Sequence, residues 1–371
     1  MRVKDTEGRR YPEEPHPYRS EYQRDRDRIV HTKAFRRLEN KTQVFDLDYS
    51  DHFRNRLTHT IEVSQITRTV SRALKLNGDL CEVLALSHDI GHPPFSHEGE
   101  RVLDVIMKGF GRGFDHNLHA LHIVEYFEEK YASFRGLNLT FEVREGTAKH
   151  SRDYSESDTV YTELAEYRLD EKPTLEGQLI DLVDEIAYNT ADLDDGYGSG
   201  LLTVEQMRAQ VDLFQTCYGS IRDSFPKAPQ RLWVSETVRQ LVNVLVTDLI
   251  DHTREMIRSQ GIDSVGKVRR HPFRLVGFSE PVRQLNAQLK QFLHSELYDH
   301  RVIRSARKRA QDLVHGLFEY YSDRPRELPP SHHARIGQLP LEQVVCDYIA
   351  GMTDKFAQTC FDEVVRRSEV H

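Results

Sequence analysis

Apolar side chains recur every three or four residues through several long stretches of this 371-residue chain, and this helical period constrains its fold most strongly. One stretch runs from Asn55 to Leu76 and is followed by Gly78, a residue type that commonly ends a helix. A second begins at Asp79, with Glu82 at the spacing of a capping box, and Thr174 can cap a third. No segment shows the convincing alternation expected of a strand. The sequence therefore predicts an all-α fold.

Four potential metal ligands lie in or at the end of these predicted helices. His59 falls near the apolar face of the first, the pair His88 and Asp89 ends the second, and Asp184 lies in the third. Two imidazoles and two carboxylates from separate helices can meet at one ion, and this ligand mixture suits Mn, Fe, Co, Ni or Mg. Such an ion can activate water or polarise a phosphoryl oxygen. For any single histidine, the alternative is a hydrogen-bonded residue of the core.

The third predicted helix also carries a row of polar residues. Asp184, Tyr188 and Asp192 are spaced four residues apart and therefore share one face. Polar rows are usually solvated. Because this one begins at a predicted ligand and combines two carboxylates with a phenol, we interpret it as the wall of a site.

Composition is that of an ordinary enzyme expected in the cytoplasm. No window approaches the length of a membrane span, and the N-terminus is too charged for a signal peptide. The formal charge of -8 argues against bulk electrostatic attraction to nucleic acid. The cysteines are scattered, without the paired spacing of a zinc site or a disulfide framework: Cys81, Cys217, Cys346 and Cys360.

Two clusters of basic residues, Arg19–Lys41 and Arg301–Arg309, have two interpretations of similar weight. Each can be the solvated face of a helix. Alternatively, some of their side chains bind a polyphosphate, which one metal cannot neutralise and which arginine binds in a bidentate fork.

Breaks in the pattern divide the chain into an extended N-terminal segment, residues 1–27, a metal-binding core, residues 28–195, and a C-terminal helical region, residues 196–371. The glycines of residues 196–200 mark the second boundary. Prolines indicate a loop over residues 323–340, and a final helix is predicted from Pro340 to Arg367.

The segment HDIGHPPFSHEGE, which begins at His88, resembles the HD superfamily when combined with RLTHTIEV before it and DLVDEIAYNTADLDDG after it. Within that superfamily the chain resembles the dGTPase-like deoxynucleoside triphosphate triphosphohydrolases. Further resemblances are spread over most of the chain and lie in Phe35–Phe45, Arg112–Leu121, Glu145–His150 and Asp347–Ala357. The resemblance implies an HD-domain helical core with additional C-terminal helices.

Acid–base candidates follow the doublet closely. His97 and Glu100 are three residues apart on a helix that Ser96 can cap, so the carboxylate could orient and charge the imidazole. His92 and His116 could contact phosphate. The resemblance implies that these positions line the phosphate path and that His97 transfers a proton. Structural capping is the alternative for the three histidines.

The substrate pocket depends more heavily on the resemblance. It implies nucleotide contacts for Arg56, for Gln43 and Val44 at sugar and base, for Tyr188 and Asp192 near the 3′-hydroxyl, and for Tyr298 and His300. The chain departs from an animal relative at Glu185, where that relative has a phosphate-binding lysine. Cations for the outer phosphates must then come from elsewhere, with Lys290 and Arg301 as candidates.

The function expected is metal-dependent hydrolysis of dNTPs, dGTP among them, to a deoxynucleoside and inorganic triphosphate. Two alternatives stay open at this point. One is an HD phosphohydrolase acting on a nucleoside monophosphate or a cyclic nucleotide, and the other is a nucleotide- or nucleic-acid-binding regulator with a vestigial site. A homo-oligomer without membrane association is expected, and a regulatory nucleotide or single-stranded DNA is a further candidate partner.

Overall fold

The computed structural model describes residues 1–44, 53–153 and 162–369. These residues contain isolated β-bridges but no strand, which confirms the all-α prediction. The α-helices are α1 Glu21–Val30, α2 Lys33–Arg37, α3 Arg56–Leu74, α4 Gly78–Ser87, α5 Ser96–Lys108, α6 His116–His122, α7 Phe141–Ala148, α8 Leu175–Gly198, α9 Val204–Gln210, α10 Asp212–Ser224, α11 Gln230–Ser259, α12 Val265–Arg269, α13 Glu280–Phe292, α14 Arg301–Asp323, α15 Pro330–His333, α16 Leu341–Ala350 and α17 Asp354–Glu369. Short π-helical turns, Ile123–Phe127 and Leu293–Tyr298, extend α6 and α13.

Local side-chain caps fix the starts of the two helices that carry His59 and Asp184. The Asn55 side chain accepts a hydrogen bond from the Thr58 amide, and the Thr58 hydroxyl in turn accepts one from the Asn55 amide, so α3 begins at Arg56. Thr174 caps α8 by accepting from the Gly177 amide. The predicted starts of these helices are therefore confirmed.

Two hydrophobic cores hold the helices together. In the first, α3 packs on α4 and α8, while α1, α7 and α11 pack around this group. In the second, α5 packs with α14, α16 and α17. The boundary predicted at residue 195 does not separate these cores, because α11 packs on α3 and α8 whereas α5 packs on the C-terminal helices. Helix α8 itself continues across that boundary to Gly198.

Two predicted caps are wrong. Asn77 rather than Asp79 caps α4, because the Asn77 side chain accepts from the Leu80 amide, while the Asp79 carboxylate accepts from the Ser20 hydroxyl. Ser96 does not cap α5 either. It is the first residue of that helix, and its hydroxyl instead accepts a hydrogen bond from the Arg56 guanidinium.

Two predicted boundaries also differ. Helix α1 begins at Glu21, inside the segment predicted to be extended, because Ser20 and Gln23 form a capping box there. The single C-terminal helix predicted from Pro340 is two helices, α16 and α17. They are interrupted after Ala350, where the Thr353 hydroxyl accepts from the Phe356 amide and starts a new helix.

The turn that follows α4 is packed against α6 with no room for a side chain at Gly91. A Cβ atom placed there would lie 2.0 Å from the His116 carbonyl oxygen and 2.4 Å from the Ala120 nitrogen. Only glycine permits this approach of two backbones. The contact holds the turn after the His88–Asp89 pair directly against the helix that begins with His116.

None of the helices in the described ranges is both long enough and apolar enough to cross a membrane.

Candidate metal centre and active site

The structure brings the predicted ligands together at the buried junction of α3, the end of α4 and α8. His59 Nε2 lies 2.8 Å from Asp184 Oδ1 and 4.0 Å from Asp89 Oδ2. His88 Nε2 lies 3.6 Å from Asp89 Oδ1 and 3.6 Å from Asp184 Oδ1. Ligand atoms of His59, His88 and Asp89 all fall within 4.8 Å of one another, so this group could hold a metal ion.

The protonation of His88 fits a metal ligand. Its Nδ1 lies 2.7 Å from the Ala85 carbonyl oxygen, and because a carbonyl only accepts, Nδ1 must carry the proton. Nε2 is buried, has no hydrogen-bond partner in the described residues, and faces the two carboxylates. A buried polar atom without a partner is costly, and coordination of a cation through Nε2 removes that cost.

Nearby charges keep the carboxylates of the centre ionised. Burial alone would raise the pKa of Asp89, but Arg56, with Nη1 at 2.7 Å from Oδ2, and His88 hold it well below its usual value. Burial also opposes ionisation of Asp184, but its hydrogen bond with His59 and the nearby imidazole of His88 lower its pKa well below the usual value. Burial would lower the pKa of His88, yet Asp89 and Asp184 raise it to about 9. Both carboxylates are therefore ionised, as ligation of a metal requires.

A second cluster lies beside the centre and consists of His92, Glu100 and His116. Glu100 Oε1 accepts from the His116 amide at 3.0 Å and lies 2.7 Å from His116 Nδ1. His97 Nδ1 is 3.7 Å from Glu100 Oε2, which is too long for a hydrogen bond. The carboxylate is thus shared, and its close partner is His116 rather than the predicted His97.

His92 connects this cluster to the metal centre. Its Nδ1 lies 3.1 Å from Asp89 Oδ1, and its ring lies 3.9 Å from the His116 ring, centroid to centroid. Burial and the positive charge of Arg56 hold the pKa of His92 well below its usual value. Burial also opposes the charge of His116, but Glu100 raises the pKa of His116. The surroundings thus favour the neutral form of His92 and the charged form of His116 next to the ligands.

A pocket opens beside the two clusters. Its empty volume, including the open mouth, is about 600 Å³, and it is lined by Thr42, Gln43, Val44, Phe95, Ser96, His97, Glu98, Tyr188, Tyr298, Ile303, Ala306, Arg307 and Ala310. Five of the predicted site residues are among them, namely Gln43, Val44, His97, Tyr188 and Tyr298. Phe45, the last residue of the Phe35–Phe45 segment, lies outside the described residues.

Tyr298 and Tyr188 form one side of the pocket as a pair of rings 5.9 Å apart. The Tyr298 hydroxyl donates a hydrogen bond to Asp192, which is buried. Burial raises the pKa of Asp192 to about 8, although the hydrogen bond from Tyr298 acts in the opposite direction. The polar row of α8 thus runs from the metal centre into the pocket wall, as its spacing indicated.

Other predicted contacts have local partners instead. Arg56 is buried, pairs with Asp89 and donates from Nη2 to the Ser96 hydroxyl at 2.8 Å. His300 caps α14 by accepting from the Val302 amide and does not line the pocket. Lys290 pairs with Glu185 at 2.9 Å, and Arg301 is exposed at the start of α14. Nucleotide contacts by these residues stay predictions.

Two residues were not singled out from the sequence. Arg307 is the only guanidinium among the described residues that line the pocket, and its position inside the Arg301–Arg309 cluster was the available signal. His150, at the end of the Glu145–His150 segment, is buried with its ring 5.3 Å from that of His88. Its Nδ1 lies 2.7 Å from Asp181 and its Nε2 lies 3.9 Å from Asp184.

Comparison with known families divides the chain into two matched regions. Residues 56–189 match the HD domain, a range that contains all four predicted ligands. Residues 276–363 match the phosphohydrolase-associated domain, which covers α13 to α16 and most of α17.

Curated relatives match along nearly the whole chain. A deoxyguanosinetriphosphate triphosphohydrolase-like protein of Geobacter sulfurreducens is 45% identical over 351 residues, which are 94% of this chain and 90% of the relative. A protein of the same name from Thiobacillus denitrificans is 46% identical over 95% of this chain and 92% of its own length. Another from an Azoarcus species is 45% identical over 98% of this chain and 95% of its own length. The chain therefore belongs to the HD-domain phosphohydrolases, in the family of deoxyguanosinetriphosphate triphosphohydrolase-like proteins.

Proposed function

We propose that this protein is a metal-dependent dNTP triphosphohydrolase, with dGTP among its substrates, that releases a deoxynucleoside and inorganic triphosphate. The observation that carries the proposal is the continuity of the metal centre with the pocket. His97 lines the pocket and lies beside Glu100, and the Glu100–His116 pair adjoins His92 and Asp89. A substrate in the pocket can thus extend its phosphates across both clusters. The names of the relatives support the same substrate class.

His59, His88, Asp89 and Asp184 would hold the metal. A divalent ion at these ligands supplies positive charge that polarises a phosphoryl oxygen and makes water more acidic. The described donors are imidazole nitrogens and carboxylate oxygens, a set that suits Mn, Fe, Co, Ni or Mg.

The protein's own groups carry the proton transfer and the orientation of the phosphates. A water oxygen bonds to the α-phosphorus and the water releases a proton to solvent, while the bond from phosphorus to the 5′-oxygen breaks and His97 gives a proton to that oxygen. His97 then regains a proton from solvent. Glu100 lies beside His97, and His116 and His92 contact the phosphates. The water oxygen therefore ends in the triphosphate, while the deoxynucleoside keeps its 5′-oxygen.

A cation for the outer phosphates should line the pocket and should not already be paired with a carboxylate. Lys290 is already paired with Glu185, whereas Arg307 lines the pocket and lies 5.9 Å above the Tyr298 ring. Arginine can bind phosphate in a bidentate fork. Arg307 is therefore the better candidate.

Substitution of Asp184 by Ala should leave the purified protein largely depleted of metal, because a site that loses one of its protein ligands binds more weakly. Metal analysis of the purified variant measures this. Glu185→Ala is the matched control, since Glu185 is next in sequence but pairs with Lys290 and Asn286. Full metal occupancy in Asp184→Ala would remove this ligand from the centre.

Hydrolysis of dGTP in isotopically labelled water tests the reaction itself. We expect the label in intact triphosphate, because attack occurs at the α-phosphorus and the three phosphates stay joined. Chromatography and mass spectrometry of the products measure the outcome. Label in the nucleoside, or release of orthophosphate or pyrophosphate, would contradict the proposal.

The variant His97→Ala should turn over dNTP roughly a hundredfold more slowly, as expected for loss of a general acid, and should keep its metal. Steady-state rates and metal content measured together separate the two properties. His315→Ala is a suitable control, because its imidazole is similarly exposed and lies 3.4 Å from Glu319 on α14. If His97→Ala and His315→Ala are equally active, the proton comes from another group.

Sugar discrimination is expected to depend on the ring of Tyr298. A polar wall in close contact rejects an added 2′-hydroxyl better than loose apolar packing does. The ratio of kcat/KM for dGTP over GTP should be high in wild type and should shrink in Tyr298→Ala. Tyr298→Phe, which keeps the ring and loses only the bond to Asp192, should fall between the two. Equal wild-type values for dGTP and GTP would exclude the proposed substrate class.

A further inference from the structure

One wall of the pocket is assembled from two chain segments that are distant in sequence. Thr42, Gln43 and Val44 form one segment, and residues 95–98 form the other. The first carries the proposed sugar and base contacts, and the second carries His97. Residues 42–44 are not helical, and the second segment begins at Phe95, the residue directly before α5.

A single carboxylate connects these two segments. Asp354 Oδ2 accepts a hydrogen bond from the Thr42 amide at 2.7 Å, and Asp354 Oδ1 accepts one from the Phe95 amide at 2.9 Å. Asp354 is the first residue of α17, in the phosphohydrolase-associated region, and only 6% of it is exposed. A buried carboxylate with one amide on each oxygen fixes the separation of those amides, since charge-assisted hydrogen bonds are short and strong.

The Phe95 segment needs such support because its backbone is strained. Phe95 has φ 62° and Ser96 has φ 60°, in the left-handed region. Non-glycine residues in that region are strained and persist only where surrounding contacts impose them. The bond from Phe95 to Asp354 is one such contact, two residues before His97.

The Thr42 segment is tied to the metal centre as well. Thr42 forms an isolated bridge with Asn55, the residue that caps α3, and α3 carries His59. Next to it, the buried Lys41 amino group donates to the carbonyl oxygens of His92 and Ala350. The C-terminal helices therefore contact the core at the point where the pocket wall meets the metal-binding turn.

We propose that Asp354 is a positioning residue that sets the distance between the Gln43–Val44 contacts and His97. This inference rests on the proposed function, because it takes those groups as the substrate contacts and the proton donor. It gives the C-terminal helices a direct part in the site: they supply the side chain that holds both halves of one wall.

The test compares Asp354→Asn with Asp347→Asn in the full-length protein. Asp347 is a closely matched control, because it lies in the same region, is 4% exposed, and accepts one side-chain donor on each oxygen, from Arg335 and from Gln343, both at 2.9 Å. Asparagine keeps one acceptor oxygen and places an NH₂ group against the other donor. At position 354 one main-chain amide of the pocket wall loses its partner, whereas at position 347 only side-chain donors are affected.

We expect Asp354→Asn to raise KM and lower kcat for dGTP, with kcat/KM down about tenfold or more, because small displacements of reacting groups are costly. Metal content should equal that of wild type. Asp347→Asn should keep its KM, since a loss of folded protein lowers the apparent kcat alone. If Asp354→Asn keeps its kcat/KM within about twofold of wild type, or if both variants change KM alike, Asp354 has no positioning role.

Two further measurements keep the test decisive. If Asp354→Asn does not fold, Asp354→Glu retains the charge but displaces the oxygens, and an unchanged KM in that variant would overturn the proposal. Amide hydrogen exchange at Thr42 and Phe95 requires no substrate. Faster exchange at either amide in Asp354→Asn, and not in Asp347→Asn, supports the positioning role even if wild type leaves dGTP intact, an outcome that would contradict the proposed function alone. Unchanged exchange at both amides would overturn it.

Discussion

The ion pair between Arg56 and Asp89 is the interaction on which the site depends. Removing a carboxylate from water costs several kcal/mol, and only a close opposite charge with further polar contacts offsets that cost. Arg56 lies in the first turn of α3, one turn before His59. Its Nη1 pairs with Asp89, and its Nη2 donates a hydrogen bond to the Ser96 hydroxyl. One guanidinium thus joins the helix of His59, the ligand Asp89 and the start of the helix that carries His97 and Glu100.

That arrangement changes how the contribution of Arg56 is understood. The resemblance to the family implied a nucleotide contact at this position, but in the structure its charge is already partnered by Asp89. An arginine paired with a buried carboxylate stabilises the ionised form of that carboxylate, which here is the ligand Asp89. Burial and the charge of Arg56 together depress the pKa of His92, whereas Glu100 raises the pKa of the neighbouring His116. Arg56 therefore acts on both Asp89 and His92, and Glu100 acts on His116.

The sequence was sufficient where the signal is local. Asn55 and Thr174 cap their helices through residues three positions away, and the helical period places His59 inside. The sequence was insufficient where two residues could form the same local contact and a residue distant in sequence determines which of them does. Asp79 could have capped α4, but the Ser20 hydroxyl binds it across 59 residues and Asn77 takes its place. The same holds for Glu100, whose closest partner, His116, lies 16 residues away and not on its own helix.

Gly91 has a consequence for how this site tolerates change. Its backbone lies against the His116 carbonyl and the Ala120 amide, so the spacing between the metal-binding turn and α6 is a main-chain distance. Side chains in the surrounding core can be exchanged for others of similar volume without altering that spacing, because the nearest atoms in the contact are main-chain atoms. Substitutions in the core should therefore leave the separation of His92 from His116 unchanged. A single methyl group added at Gly91 would alter that separation.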